Sequence, residues 1–193
     1  MCGEYPSLLL YVGIAIWYTL FDGKGVRFDS FVFFLPEEWI QMALRFTWTD
    51  GNDKVFRDFY LVTEAYYSRI VGGEENRRQF IPYNLSSAVE DVLLVYRNGT
   101  PVGCAGLKKY SDTDVEVKRV WVDPSCRGHR IATLMMAILE DKARKKGYIR
   151  TVLQTREIMK DAVALYTKLG YQRIDNYPPY DKLEGAVCFA KEL

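Results

Sequence analysis

The stretch "VEVKRVWVDPSCRGHRIATLMM", Val115 to Met136, decides the fold. It passes from an alternating apolar run, through a short basic turn containing one glycine, into a segment whose apolar residues recur every three or four positions. A strand, a compact turn and a helix are predicted in immediate succession. Such a junction leaves unpaired backbone N–H groups at the positive end of a helix dipole, which makes it an anion site. Gly128 allows close backbone approach, Ala132 keeps the first helical turn slim, and Arg127 and Arg130 add formal charge. Phosphate or pyrophosphate is the expected guest. The spacing fits neither a GxxxxGK[ST] phosphate loop nor a GxGxxG dinucleotide fingerprint.

Working outward, the segments on either side supply one domain. A strand is predicted at Leu44 to Thr49, and a helix from Asp53 to Val71 in which Phe56, Phe59, Tyr60, Thr63, Tyr67 and Ile70 share helical spacing. After a poorly periodic stretch containing Pro82, "DVLLVYR" and "PVGCAGLKKY" form a hairpin around Asn98-Gly99, and "VEVKRVWV" is a third antiparallel strand. The helix of Ile131, Leu134, Met135, Ile138 and Leu139 ends at Gly147. "YIRTVLQT" follows as a strand, "MKDAVALYTKLG" as a helix, and "YQRIDNY" with "AVCFAKEL" as the closing strand pair. The expected fold is α+β, a central twisted, mostly antiparallel sheet of six or seven strands flanked by helices.

Composition narrows the function. At 193 residues with 49% hydrophobic content, the chain can bury one sizeable core. Lys and Arg number 26 against 25 Asp and Glu, so the chain lacks the charge of a dedicated nucleic-acid binder. Four cysteines without a CxxC pair and a single histidine argue against a metal cluster; the thiols read as reduced, in a cytoplasmic setting. Cys126 and His129 lie on the phosphate turn and are not read as a nucleophile and base.

Residues 1–41 stand apart. "SLLLYVGIAIWYTLF", Ser7 to Phe21, is uncharged but shorter than the about 20 residues of a spanning helix, and it lacks the flanks of a signal peptide. A membrane anchor ranks below two other readings: an element packed on the domain, or sequence upstream of a true start at Met42. Glu37-Glu38-Trp39 would be encoded by purine-rich codons of the kind that precede a bacterial start. The domain proper is then 42–193.

From about Leu44 to Leu193 the sequence resembles the GNAT family of N-acetyltransferases, whose acetyl-CoA loop follows [Q/R]xxGx[G/A]. "RGHRIA" matches five of those six positions, with Arg130 where the pattern has glycine, and "VEVKRVWVDP" before it and "AVALYTKLGY" after it stand in the family's order. The resemblance implies acetyl transfer from acetyl-CoA to an amine, on a small molecule or a protein, with no metal, and a monomer or homodimer as the assembly. Cofactor contacts are implied for Val120, Trp121 and Val122 on the strand and for Arg127, Gly128, His129, Arg130, Ile131, Ala132 and Thr133 on the turn and helix, with Lys168 a further candidate. The family's asparagine seven residues before the tyrosine is Met159 here, so that contact is not carried over.

Two catalytic residues are expected. Glu116 matches the glutamate position of the family's histone-acetyltransferase branch and would deprotonate the amine; Tyr166 matches the family's general acid and would protonate the leaving sulfur. Alternation places Glu116, Lys118, Val120 and Val122 on one face, about 20 Å from end to end at roughly 3.3 Å per residue. The backbone of Val120 to Val122 would pair with the pantetheine arm like a neighbouring strand.

Overall fold

The computed structural model describes residues 31–33 and 44–193; the apolar run at Ser7 to Phe21 lies outside the described residues. Eight strands form one sheet in the order β1-β2-β3-β4-β5-β6-β8-β7. They are β1 (Phe31–Phe33), β2 (Leu44–Thr49), β3 (Asp91–Arg97), β4 (Thr100–Lys109), β5 (Asp114–Val122), β6 (Arg150–Arg156), β7 (Gln172–Ile174) and β8 (Ala186–Glu192). All neighbours are antiparallel except β5 and β6. Seven of these strands lie within 42–193, as expected, and the three-residue β1 adds an eighth by pairing with β2.

Helix α1 (Lys54–Ile70) covers one face of the sheet, while α2 (Ile131–Lys145) and α3 (Lys160–Lys168) pack against the other. The start of α1 is set by Asp53, whose side chain accepts from Val55 N–H at 2.7 Å and Phe56 N–H at 3.1 Å. Phe56 then enters a core with Val92, Leu94, Cys104 and Trp121. The larger core, on the α2 face, joins Leu93, Leu107, Val117, Met135, Met136 and Leu139. Cys104, Cys126 and Cys188 are buried thiols. Among the described residues no helix is long and apolar enough to cross a membrane.

Strand β5 departs from simple alternation. Cys104 pairs with Trp121 and Gly106 with Lys118, so β5 spends one residue more than β4 over the same span. The extra residue falls at Arg119, whose φ of 55° is in the left-handed region. Alternation therefore changes phase: Val115, Val117, Val120 and Val122 face α2, whereas Glu116, Lys118, Arg119 and Trp121 face the other side. The expected common face for Glu116, Lys118, Val120 and Val122 is thus corrected, because a bulge re-phases every side chain beyond it.

Arg119 is also the tie at this point. Its guanidinium donates to Glu64 Oε1 at 2.7 Å and Thr63 Oγ1 at 3.3 Å on α1, and to the Asn84 carbonyl, with Nε 3.1 Å away. It also lies over the Tyr60 ring at 4.3 Å. Replacing Arg119 by alanine removes these bonds and leaves Glu64 with Arg77 alone. The expected cost is about 2–4 kcal/mol, which lowers Tm by about 5–15 °C in a thermal melt; an unchanged Tm would show that the bulge holds without its side chain.

Candidate active site

The last paired residues of β5 and β6 are Val117 and Leu153. Beyond them the two strands diverge, and a cavity of about 610 Å³ opens between them. Its walls are β5 from Val117 to Val122, the Arg127-Gly128 turn, Gln154 to Arg156 of β6, the start of α3, and Tyr66, Tyr67 and Ile70 of α1. The edge of β5 from Lys118 to Val122 has no strand partner on this side, so its backbone is available to an extended ligand.

At one end lies the basic turn. Asp123 caps a 3-10 turn at Pro124–Cys126 by accepting from Ser125 N–H at 2.9 Å. Arg127 is extended, Gly128 has φ 82°, and Arg130 has φ 57° as the residue before α2. Arg130 therefore occupies the left-handed conformation that favours glycine, which gives the family's glycine at this position a physical reason. No side chain caps α2, and its first internal bond runs from Leu134 N–H to the Arg130 carbonyl. The amides of Ile131, Ala132 and Thr133 consequently have no acceptor within the helix, as an anion cradle requires. Gly128 is not demanded by packing, since a Cβ there would meet no atom within 4 Å.

The expected cofactor residues divide in two. Val120, Trp121, Val122, Arg127, Gly128 and Ala132 line the cavity. His129, Arg130, Ile131 and Thr133 do not, and the Ile131 side chain is in the core. Lys168 is exposed and off the cavity; Lys160, at the start of α3, lines it instead. Arg127 is not a loose cation: Nε donates to the Val122 carbonyl at 3.0 Å, and its guanidinium lies 4.8 Å from the Trp121 ring centroid. Met159 borders the cavity as well.

At the middle of the cavity the two catalytic candidates are placed differently. Tyr166 is buried, lines the cavity, and has its phenol pushed well above the usual tyrosine range by burial and then by Tyr67. Glu116 is buried behind Lys118 and is not part of the cavity wall. It accepts from Tyr177 Oη at 3.1 Å and pairs with Lys118 Nζ at 3.3 Å, while Lys118 Nζ also reaches Tyr180 Oη at 2.7 Å. Burial pulls Lys118 down to about 8, against the opposing charge of Glu116. Lys118, Tyr177 and Tyr180 carry no motif signal; alternation sets Lys118 beside Glu116, and the long-range return of the 177–180 segment brings the two tyrosines to them.

This fold and cavity define an acyltransferase-like class, and comparison with known proteins places the chain within it. The Acetyltransferase (GNAT) family profile matches residues 37–171, and the chain belongs to that family. An IAA acetyltransferase of Azospirillum brasilense is 34% identical over 89 residues, 46% of this chain and 58% of that protein. The YjgM N-acetyltransferase of Escherichia coli is 32% identical over 85 residues, 42% of this chain and 51% of that protein. The matched region thus spans about half the length of these relatives. A Klebsiella pneumoniae structure described as an acyl-CoA N-acyltransferase superposes with a TM-score of 0.64 and 27% identity, covering 77% of this chain and 96% of that one. A GNAT acetyltransferase of Elizabethkingia anophelis, solved with acetyl-CoA, shares the fold with a TM-score of 0.55 and 18% identity, covering 78% and 98% of the two chains.

Replacing Gly128 by valine imposes a β-branched residue at φ 82° and puts its side chain where a ligand must approach. Hydrogen bonds to a charged acceptor are worth about 1.5–3 kcal/mol each, so calorimetry on G128V is expected to show acetyl-CoA affinity reduced about tenfold or more. Unchanged affinity would move the pyrophosphate away from this turn.

Proposed function

We propose that the protein transfers an acetyl group from acetyl-CoA to a primary amine by direct attack within a ternary complex. One observation carries the reading: a single cavity joins the amide-rich turn at Gly128, the unpaired edge of β5, and the side chains of Lys118 and Tyr166. From Val122 back to Lys118 the strand rises by about 13 Å, a length suited to an extended pantetheine arm. Pyrophosphate at the turn then sets the thioester near Tyr166 and Lys118.

Proton traffic follows from the burial of each group. Tyr166, held protonated, supplies a proton to the departing thiolate. The proton lost by the attacking amine passes to neutral Lys118, whose charged form is then held by Glu116. Glu116, the base expected from its strand position, thus acts through Lys118, which stands between it and the cavity. A group titrating near the working pH suits this task. The cationic surroundings also disfavour the ammonium form of an incoming amine, which must be neutral to attack.

Y166F is expected to keep acetyl-CoA affinity while kcat falls by about 10- to 10³-fold, since only the acid is lost. The pH profile separates the other pair. Lys118 is charged below about 8, so kcat/KM is expected to rise as pH passes through that value. E116Q removes the anion that favours the charged lysine, so the rise should move to lower pH. A rise that stays in place would remove Glu116 and Lys118 from the proton path. Wild-type rates in both variants would remove Tyr166 and Glu116 from the reaction, whereas acetyl-CoA binding without thiol release would favour a CoA-binding module that does not turn over.

A further inference from the structure

We propose that the acceptor amine carries an oxyanion, a carboxylate or phosphonate, and that Arg156 and Arg77 receive it. The inference rests on the acetyl-transfer reading and names the substrate class of that same cavity.

Beyond the divergence of β5 and β6, on the side toward α1 and the 3-10 turn Arg78–Tyr83, the cavity is lined by Arg77, Lys118, Arg119 and Arg156. The carboxylates beside them are fewer. Glu64 is shared between Arg77 and Arg119, and Glu116 is taken by Lys118. Burial would raise Glu64, yet the Arg77 hydrogen bond and the Arg119 charge hold it below its usual value, so it stays an anion committed to both arginines. Arg156 forms no ion pair among the described residues. Nη1 donates to the Asn76 carbonyl at 3.1 Å, and Glu184 acts on it only at longer range.

Two further observations point to a missing acceptor. Nε of Arg77 and Nε of Arg156 are buried without a hydrogen-bond partner, a costly state for a guanidinium edge. Arg156 also feels the like charge of Arg77, which together with burial makes its own charge harder to hold. An oxyanion between them would satisfy both N–H groups and screen the repulsion. The guanidinium planes are already set: Arg156 lies 4.9 Å from the Phe80 centroid and Arg77 lies 5.2 Å from that of Tyr67. Rings that hold the flat faces leave the N–H edges for planar recognition, which is where arginine exceeds lysine. Lys118 and Tyr166 line the same cavity as the two arginines, so one molecule can present its amine to the first pair and its oxyanion to the second.

The test uses the full chain, acetyl-CoA and matched pairs of primary amines: phenylalanine with phenethylamine, methionine with 3-(methylthio)propylamine, and 2-aminoethylphosphonate with ethylamine. Thiol release is followed for each. The acidic member of at least one pair is expected to be preferred by about tenfold or more in kcat/KM, as one to two charge-assisted bonds provide, and the pair that shows it tells carboxylate from phosphonate. R156Q should collapse that ratio by raising KM for the acidic member, and R156K should restore part of it. Equal kcat/KM within every pair, or a ratio that survives R156Q, would overturn the proposal. Absence of thiol release with every amine, while calorimetry still shows acetyl-CoA binding, would instead overturn the acetyl-transfer reading and this inference with it.

Discussion

The bulge at Arg119 is the constraint on which the site depends. One extra residue in β5 re-phases the strand, so that Glu116 and Lys118 lie on the α1 side while Val120 and Val122 return to the α2 side. A bulge also bends the strand that carries it, and β5 parts from β6 only one residue before Lys118. The left-handed conformation of Arg119 is held from outside, by Thr63 and Glu64 of α1 and by the carbonyl of Asn84. The same side chain therefore fixes the bend in the sheet and the position of the helix that walls the cavity.

The cavity has two cationic ends of different construction. At the turn end the attraction comes mainly from backbone amides and a helix terminus, with Arg127 folded against Trp121. Such a site is insensitive to side-chain identity so long as residues 128 and 130 can hold positive φ. At the other end it comes from guanidinium groups that share too few carboxylates. Between the ends, burial shifts the titration of the groups present: it pushes the Tyr166 phenol up and pulls Lys118 down to about 8. A common physical cause, removal from water, thus moves both groups toward their neutral forms.

Much of this was legible in the chain. The hairpin at Asn98-Gly99, the strands at Leu44–Thr49 and Asp91–Arg97, and the helix after the basic turn follow from local periodicity and turn chemistry, and each is found where those rules put it. The anion turn was legible as well, because glycine and arginine before a slim helical turn act through local backbone geometry. Tyr166 could be picked out by its place in "ALYTKLGY", and it does line the cavity.

What the sequence by itself determined, then, is the order of elements, the fold class and the glycine-containing turn before α2, which follow from patterns within a few residues. Tertiary structure decided the rest. In "VEVKRVWV" the valines stand at 115 and 117 and then at 120 and 122, with Lys118-Arg119 between them; strict alternation nevertheless put Val120 and Val122 on the face of Glu116, and the bulge reversed that. Long-range packing placed Lys118 rather than Glu116 on the cavity wall and brought Arg77 and Arg156, 79 positions apart in the chain, to that same cavity. Burial, charge sharing and the shifts they impose on Lys118 and Tyr166 are properties of such long-range neighbours, and no local pattern encodes them.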